Sequence, residues 1–124
     1  MESDLEIIIR VLKMQAEAFL LGAKEFYPFG TYINKTGEIV PVGAYLGSDY
    51  SPSLPLIDLL EKDFKQGIEN NEYKIAAIAV DGSVTEKGIV YDIMEIRFFE
   101  TDKDIYKKYY KYKINPHSVD FLES

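Results

Sequence analysis

The sequence contains no cysteine and only one histidine, His117. Without cysteine the chain has no disulfide, no thiolate zinc or iron–sulfur site and no thiol nucleophile. With one histidine, a metal site built from several histidines is excluded, and a Ser-His-Asp hydrolase would have to use His117. We therefore expect no cofactor, no metal site and no enzyme of conventional type.

Long apolar runs are also missing. The longest apolar stretch, residues 18–23, is too short to cross a bilayer. The N-terminus is acidic, whereas a secretory signal peptide begins with basic residues. We expect a cytoplasmic protein without a membrane partner.

Basic residues are in the minority, and they are unevenly placed. The chain has 14 Lys and Arg against 21 Asp and Glu, which gives a net charge of −7. Residues 103–113 nevertheless hold five lysines and one aspartate. Because nucleic-acid binding is driven by basic surface, the acidic whole favours a protein partner or a second copy over nucleic acid.

What is present is the composition of one folded domain. The 124 residues are 47% hydrophobic and 28% charged, as in ordinary globular proteins. No internal repeat or linker divides them, and the length matches a single core. The sequence predicts one α+β domain over residues 1–124.

The first element is a predicted helix over about residues 4–25. Ser3 and Glu6 form the sequence pattern of a capping box, and apolar residues then recur at helical spacing. Ile7, Ile9 and Leu21 make the apolar stripe wider than one contact face requires. These three side chains are therefore candidates for an interface.

A hairpin and a second helix follow. Residues Phe29 to Tyr45 are predicted to form two strands around the turn 34–37. Pro41 predicts that the second strand lies at an edge of the sheet or contains a bulge. Residues 51–55 open a helix that ends at 70–71. Its predicted inward residues are Ile57, Leu60, Phe64 and Ile68.

The last third predicts three strands, at about 74–84, 89–100 and 105–114. The apolar run 75–80 is typical of a strand buried on both faces. The tail after residue 115 has apolar residues that we expect to dock on the core. The predicted order is α-β-β-α-β-β-β, with a five-stranded, mainly antiparallel sheet and two helices packed on one face.

Residues 25–30, with the sequence Glu-Phe-Tyr-Pro-Phe-Gly, carry a resemblance. Together with the turn Thr36-Gly37-Glu38 and the alanine-rich strand 75–80, they resemble an uncharacterised bacterial family of small acidic α+β proteins over residues 15–114. That family has Asp-Gly where this chain has Thr36-Gly37. The resemblance implies the same order of elements and supplies no activity, cofactor or catalytic residue. The order also resembles the roadblock and longin-like regulatory folds, whose members dimerise and bind partners.

The same segment is a candidate pocket. Three aromatic rings held by a proline could line it, with Glu25 and the Tyr27 hydroxyl as polar groups beside Phe29. Asp92 interrupts an apolar strand face and is a further candidate, because a buried carboxylate needs a partner or a raised pKa. In the alternative interpretation the rings only fill the core and Asp92 is exposed.

The Tyr/Lys-rich last predicted strand is a candidate interface. Lys107, Tyr109, Lys111 and Lys113 share the face opposite the one we expect in the core. As an edge strand its lysines would prevent aggregation, whereas in an interface tyrosine would anchor and lysine would select an acidic partner. Stacking on nucleic acid is the third interpretation.

These observations together favour a cytoplasmic protein-binding or regulatory module, able to form a homodimer. An immunity protein that neutralises a basic toxin is one specific version, since such proteins are small, acidic and free of cofactors. The alternative is a small-molecule-binding or carboxylate-based enzyme site around Glu25, Tyr27 and Asp92.

Overall fold

A computed structural model describes residues 2–43 and 53–123 of the chain. The predicted hairpin beyond Gly43 and the predicted loop up to residue 52 lie outside the described residues. The elements are α1 (Asp4–Ala23), β1 (Phe29–Asn34), β2 (Ile39–Gly43), α2 (Ser53–Glu69), β3 (Tyr73–Glu86), β4 (Ile89–Glu100), β5 (Tyr106–Ile114) and β6 (Val119–Glu123). The predicted α+β class is confirmed.

The described strands form one antiparallel sheet in the order β2-β1-β3-β4-β5-β6. The prediction of five strands is wrong, because the tail pairs with Tyr110–Ile114 as a sixth. Pro116 lies in the turn between β5 and β6, where the Asn115 N–H donates to the Ser118 carbonyl at 2.8 Å. β5 is therefore not the outermost strand of the sheet. Its lysines do not protect an edge strand, as one interpretation of the sequence proposed.

α1 begins with the predicted capping box. The Ser3 hydroxyl accepts from the Glu6 N–H at 3.1 Å, and the Glu6 carboxylate accepts from the Ser3 N–H. The helix ends at Ala23, and the left-handed backbone of the capping residue Lys24, with φ of 63°, turns the chain toward β1. A single row of its residues is fully buried: Ile8, Leu12, Ala16 and Leu20.

The two helices lie on opposite faces of the sheet, so the prediction that both pack on one face is wrong. Residues of β3 with odd numbers, such as Ala77, pack in the core with α1. Its residues with even numbers, such as Ile78, pack in a second core with Phe64 and Leu60 of α2. Because β3 is apolar at every position from 75 to 80, each of its faces needs a cover.

Gly30 allows α2 to approach the sheet closely. A Cβ atom at Gly30 would lie 2.6 Å from the ring of Phe64 and 2.9 Å from the Ala77 carbonyl oxygen. Phe29, the residue before it, points to the other face and is buried in the core with Phe26. The 25–30 segment thus serves both cores of the protein.

The β3–β4 hairpin is longer than its neighbours. β1 pairs with β3 as far as Ala79, and β5 pairs with β4 as far as Ile93. Residues 82–92 therefore form a two-stranded extension, which we call the arm. Isolated two-stranded ribbons are marginally stable in water, so contacts that hold the arm to the body of the sheet matter for its position.

Candidate functional site

One face of β5 and β6 lies on the side of the sheet opposite α1. In β5 this face carries the residues with odd numbers, while Tyr110 and Tyr112 point into the core under α1. α2, on the same side of the sheet, packs on β1, β3 and β4. We call this surface the open face and define it as Lys107, Tyr109, Lys111, Lys113 and Leu122.

Two large side chains of the open face are accessible to solvent. Tyr109 is 39% exposed and Leu122 is 63% exposed. Lys107 and Lys113 are also exposed, whereas Lys111 is partly buried. The face therefore combines aromatic and aliphatic surface with amino groups.

Lys111 connects the open face to the arm. Its ammonium group forms an ion pair with Glu86 and lies 4.2 Å from the centre of the Tyr91 ring. The hydrogen bond with Glu86 is the main reason that the pKa of Lys111 is raised. Lys111 thus holds the arm to β5, and its charge is paired with that of Glu86.

An ion network borders the open face on the α2 side. Arg97 donates to Glu95 at 2.6 Å and to Glu61 of α2 at 3.0 Å. All three side chains are partly buried. Tyr109 lies opposite Glu95 in the β4–β5 register, so the accessible tyrosine is next to this ion network.

A second group of polar residues lies on the α1 side, at the base of the arm. Asp81 accepts a hydrogen bond from the Tyr112 hydroxyl at 2.7 Å and one from the Phe26 N–H at 3.3 Å. These contacts join β3 to β5 and to the segment that follows α1. Asp81 was not among the residues that the sequence singled out.

Burial raises the pKa of the Asp81 carboxyl above its ordinary value, against the opposing effect of the hydrogen bond from Tyr112. The charges of Asp92 and Glu25 raise it further. Burial and the bond to Asp81 likewise raise the pKa of Tyr112. Two of the predicted pocket residues, Glu25 and Asp92, therefore act electrostatically on the same Asp81–Tyr112 pair.

The four predicted pocket residues do not share one environment. Glu25 and Asp92 are exposed, and Tyr27 is 46% exposed. The ring of Phe29 is buried, with its edge contacts to Phe19 and Phe26. Some rings of the 25–30 segment are thus in the core and one is in solvent. Asp92 is exposed, which is the alternative to the interpretation of it as a buried carboxylate.

The predicted interface residues separate into two surfaces. Ile7 and Ile9 are partly buried and pack against the α1 core, and Leu21 is exposed. The β5 residues lie across the sheet from them, on the open face. Between α1 and β6 runs a groove of about 410 Å³, with Ile9 and Phe121 in its lining.

Within residues 2–43 and 53–123, no group of three or more His, Cys, Asp or Glu side chains is placed to hold a metal ion. No helix of the described residues is long and apolar enough to cross a membrane. Comparisons with protein-family models, with curated proteins and with solved structures found no match to this chain.

Proposed function

We propose that the chain is a non-enzymatic, cytoplasmic protein-binding or regulatory module, and that its binding surface is the open face. One observation carries the proposal: Tyr109 and Leu122 are exposed on a sheet face beyond the strands on which α2 packs. Exposed aromatic residues beside aliphatic ones are enriched at interfaces and supply most of the binding energy there.

The charges of the face favour an acidic partner. Lys107 and Lys113 are exposed on either side of Tyr109, while Lys111 is occupied by Glu86. In such an arrangement the ring provides the anchor, and the flanking ammonium groups accelerate association and exclude basic partners. Nucleic acid fits less well, because its binding needs a basic surface that neutralises several phosphates, whereas Lys111 of this face is already paired with Glu86.

An immunity protein would need a different binding surface. A basic toxin would have to bind acidic surface, and the open face carries lysines instead. A toxin-neutralising role is therefore tested separately: a large toxin gene directly upstream would favour it. Without such a gene, the remaining hypothesis would be a module that binds an acidic partner.

The experiment uses two exposed tyrosines as a matched pair. Partners are captured with the wild-type protein, purified, and their binding is measured by calorimetry with Tyr109→Ser and with Tyr27→Ser. We expect Tyr109→Ser to weaken binding about 30-fold or more, as for loss of an aromatic anchor, and Tyr27→Ser to leave it unchanged. Equal effects of the two substitutions would refute the proposal.

The alternative function is a small-molecule or carboxylate-based enzyme site beside Asp81. The observation in its favour is that this half-buried carboxyl lies beside Tyr112 and the Phe26 N–H, and that burial, with smaller contributions from Asp92 and Glu25, raises its pKa. A carboxyl group with a raised pKa in a polar cluster is a candidate for binding a ligand or for proton transfer. A small molecule whose binding is lost in Asp92→Asn and in Tyr27→Ser, but not in Tyr109→Ser, would establish this alternative.

A further inference from the structure

The arm curls over toward the open face. Gly82 at its base pairs with Ile93, and Ile93 pairs with Lys111, so these three residues form one row across β3, β4 and β5. In straight strands, Glu86 would be displaced from this row by about 13 Å along β3 and separated from β5 by about 10 Å across the sheet. A lysine and a glutamate side chain do not span that diagonal. Because Lys111 nevertheless pairs with Glu86, the arm bends toward β5.

Both strands of the arm contact Lys111. Glu86 of β3 forms the ion pair, and the Tyr91 ring of β4 lies 4.2 Å from the ammonium group. The register places all three side chains on the same face of the sheet, because residues directly opposite each other share a face. Ile93, opposite Lys111 on that face, is only 9% exposed. The arm thus covers an amino group that belongs to the open face.

Glu86 has the chemistry that the proposed function expects of a partner. Lys111 lies between Tyr109 and Lys113 in the row of β5 residues on the open face, and Leu122 is opposite it. A carboxylate of an acidic partner that binds this face would meet Lys111 beside the two exposed apolar side chains. In the structure, the carboxylate at that position belongs to Glu86.

This contact is suited to exchange. The side chains of Lys111 and Glu86 are 25% and 41% exposed, so water and salt screen their ion pair. The arm is a two-stranded ribbon, which is marginally stable without support. On the other face of the sheet, Asp81 at the base of the arm accepts a hydrogen bond from Tyr112. Release of Glu86 would therefore free the tip of the arm and leave its base attached.

We propose that the arm is an autoinhibitory element: Glu86 occupies Lys111 in the free protein, and a carboxylate of the acidic partner displaces it and releases the arm tip. This inference rests on the proposed function, because it needs an acidic partner at the open face. The arm lowers the affinity for that partner, since only molecules in which Lys111 is released offer the complete face.

Lys111→Met tests the contact without a partner. In hydrogen exchange of the purified chain, the amides of residues 84–91 should lose protection, while those of residues 75–80 in the same strand keep theirs. Lys113→Met is the matched control, because Lys113 is on the same face of β5 and lies opposite Asp120 of β6. It should leave exchange in the arm unchanged. Equal protection of the arm in wild type and in Lys111→Met would overturn the proposal.

Glu86→Gln tests the competition. The probe is a random copolymer of glutamate and tyrosine, which supplies carboxylates beside aromatic rings, and its binding is measured by calorimetry. Glu86→Gln removes the competing charge and should bind the copolymer about two- to fivefold more tightly than wild type. Glu69→Gln is the control, because it removes the same charge from an exposed position on α2 and should bind like wild type. Equal affinities of the two variants would overturn the proposal.

The same titration separates this inference from the proposed function. If Tyr109→Ser binds the copolymer as tightly as wild type, the open face is not the binding surface and both proposals fail. If Tyr109→Ser weakens binding while Glu86→Gln and Glu69→Gln are equal, the proposed function stands and the autoinhibitory arm is overturned. Absence of binding even by Glu86→Gln would also overturn it, because Lys111 is then released.

Discussion

Gly30→Ala tests whether the 25–30 segment is a packing device, since the glycine lies at the closest approach of α2 to the sheet. The added methyl group would lie 2.6 Å from two ring carbons of Phe64 and 2.9 Å from the Ala77 carbonyl oxygen. The ring is fully buried and forms edge-to-face pairs with three other rings, so it has little room to move. The carbonyl belongs to the central strand β3 and cannot move without disturbing the hydrogen bonds between β3 and its neighbouring strands.

These contacts set the size of the effect. Extra volume in a well-packed core costs about 1–3 kcal/mol, and a clash with both a ring and a backbone atom belongs in the upper half of that range. We expect Gly30→Ala to lower the free energy of unfolding by about 2–3 kcal/mol. For a chain of this length that corresponds to a fall in Tm of roughly 8–12 °C.

The assay is urea unfolding of a double-mutant cycle with Phe64→Leu, which removes the ring atoms nearest to Gly30. The double variant should be more stable than the sum of the single effects by about 1–2 kcal/mol, because the ring clash is gone. Gly22→Ala is the matched control, since among the described residues a Cβ there would meet nothing within 4 Å beyond its chain neighbours and the backbone of its own helix. It should be neutral or slightly stabilising. Additivity in the cycle would refute the packing argument.

Three further predictions concern polar groups. Because the pKa of Asp81 is higher in the folded protein than in the unfolded chain, the wild type is stabilised at pH values below the unfolded pKa and loses this stabilisation as pH rises through the folded pKa. Thermal melting at a series of pH values should therefore show Asp81→Asn gaining stability relative to wild type between acid and neutral pH. Tyr112 can still hydrogen-bond to the amide. Ser3→Ala should cost about 1 kcal/mol in urea unfolding through loss of the α1 cap. Thr31→Val, which removes the buried hydroxyl that donates to Gln15 at 2.9 Å, should cost about 1–2 kcal/mol in the same assay.

Local features of the fold could be predicted because they depend on neighbours in the sequence. The capping box at Ser3 needs only a partner three residues later, and the inward positions of α2 follow from helical spacing. The edge position of Pro41 follows from its missing N–H. The β5 alternation likewise places Tyr110 and Tyr112 in the core, as the structure confirms.

Long-range pairing could not be predicted in the same way. The run 75–80 predicts burial on both faces, yet placing the helices on opposite faces also requires knowing which strands flank it. β6 follows a proline and spans only Val119–Glu123, so its pairing with β5 depends on a turn with few sequence signals. Asp81 becomes a site residue through Tyr112, 31 positions away. Its only sequence signal is a carboxylate directly after the apolar run.

Photo-crosslinking from position 109 tests the proposed binding role most directly. A photoreactive amino acid replaces Tyr109 in one variant and Tyr27 in another, and both are expressed in cells and irradiated. The account predicts a covalent adduct with a partner protein from position 109 and none from position 27. Adducts from position 27 alone, or from neither position, would contradict the assignment of the open face as the binding surface.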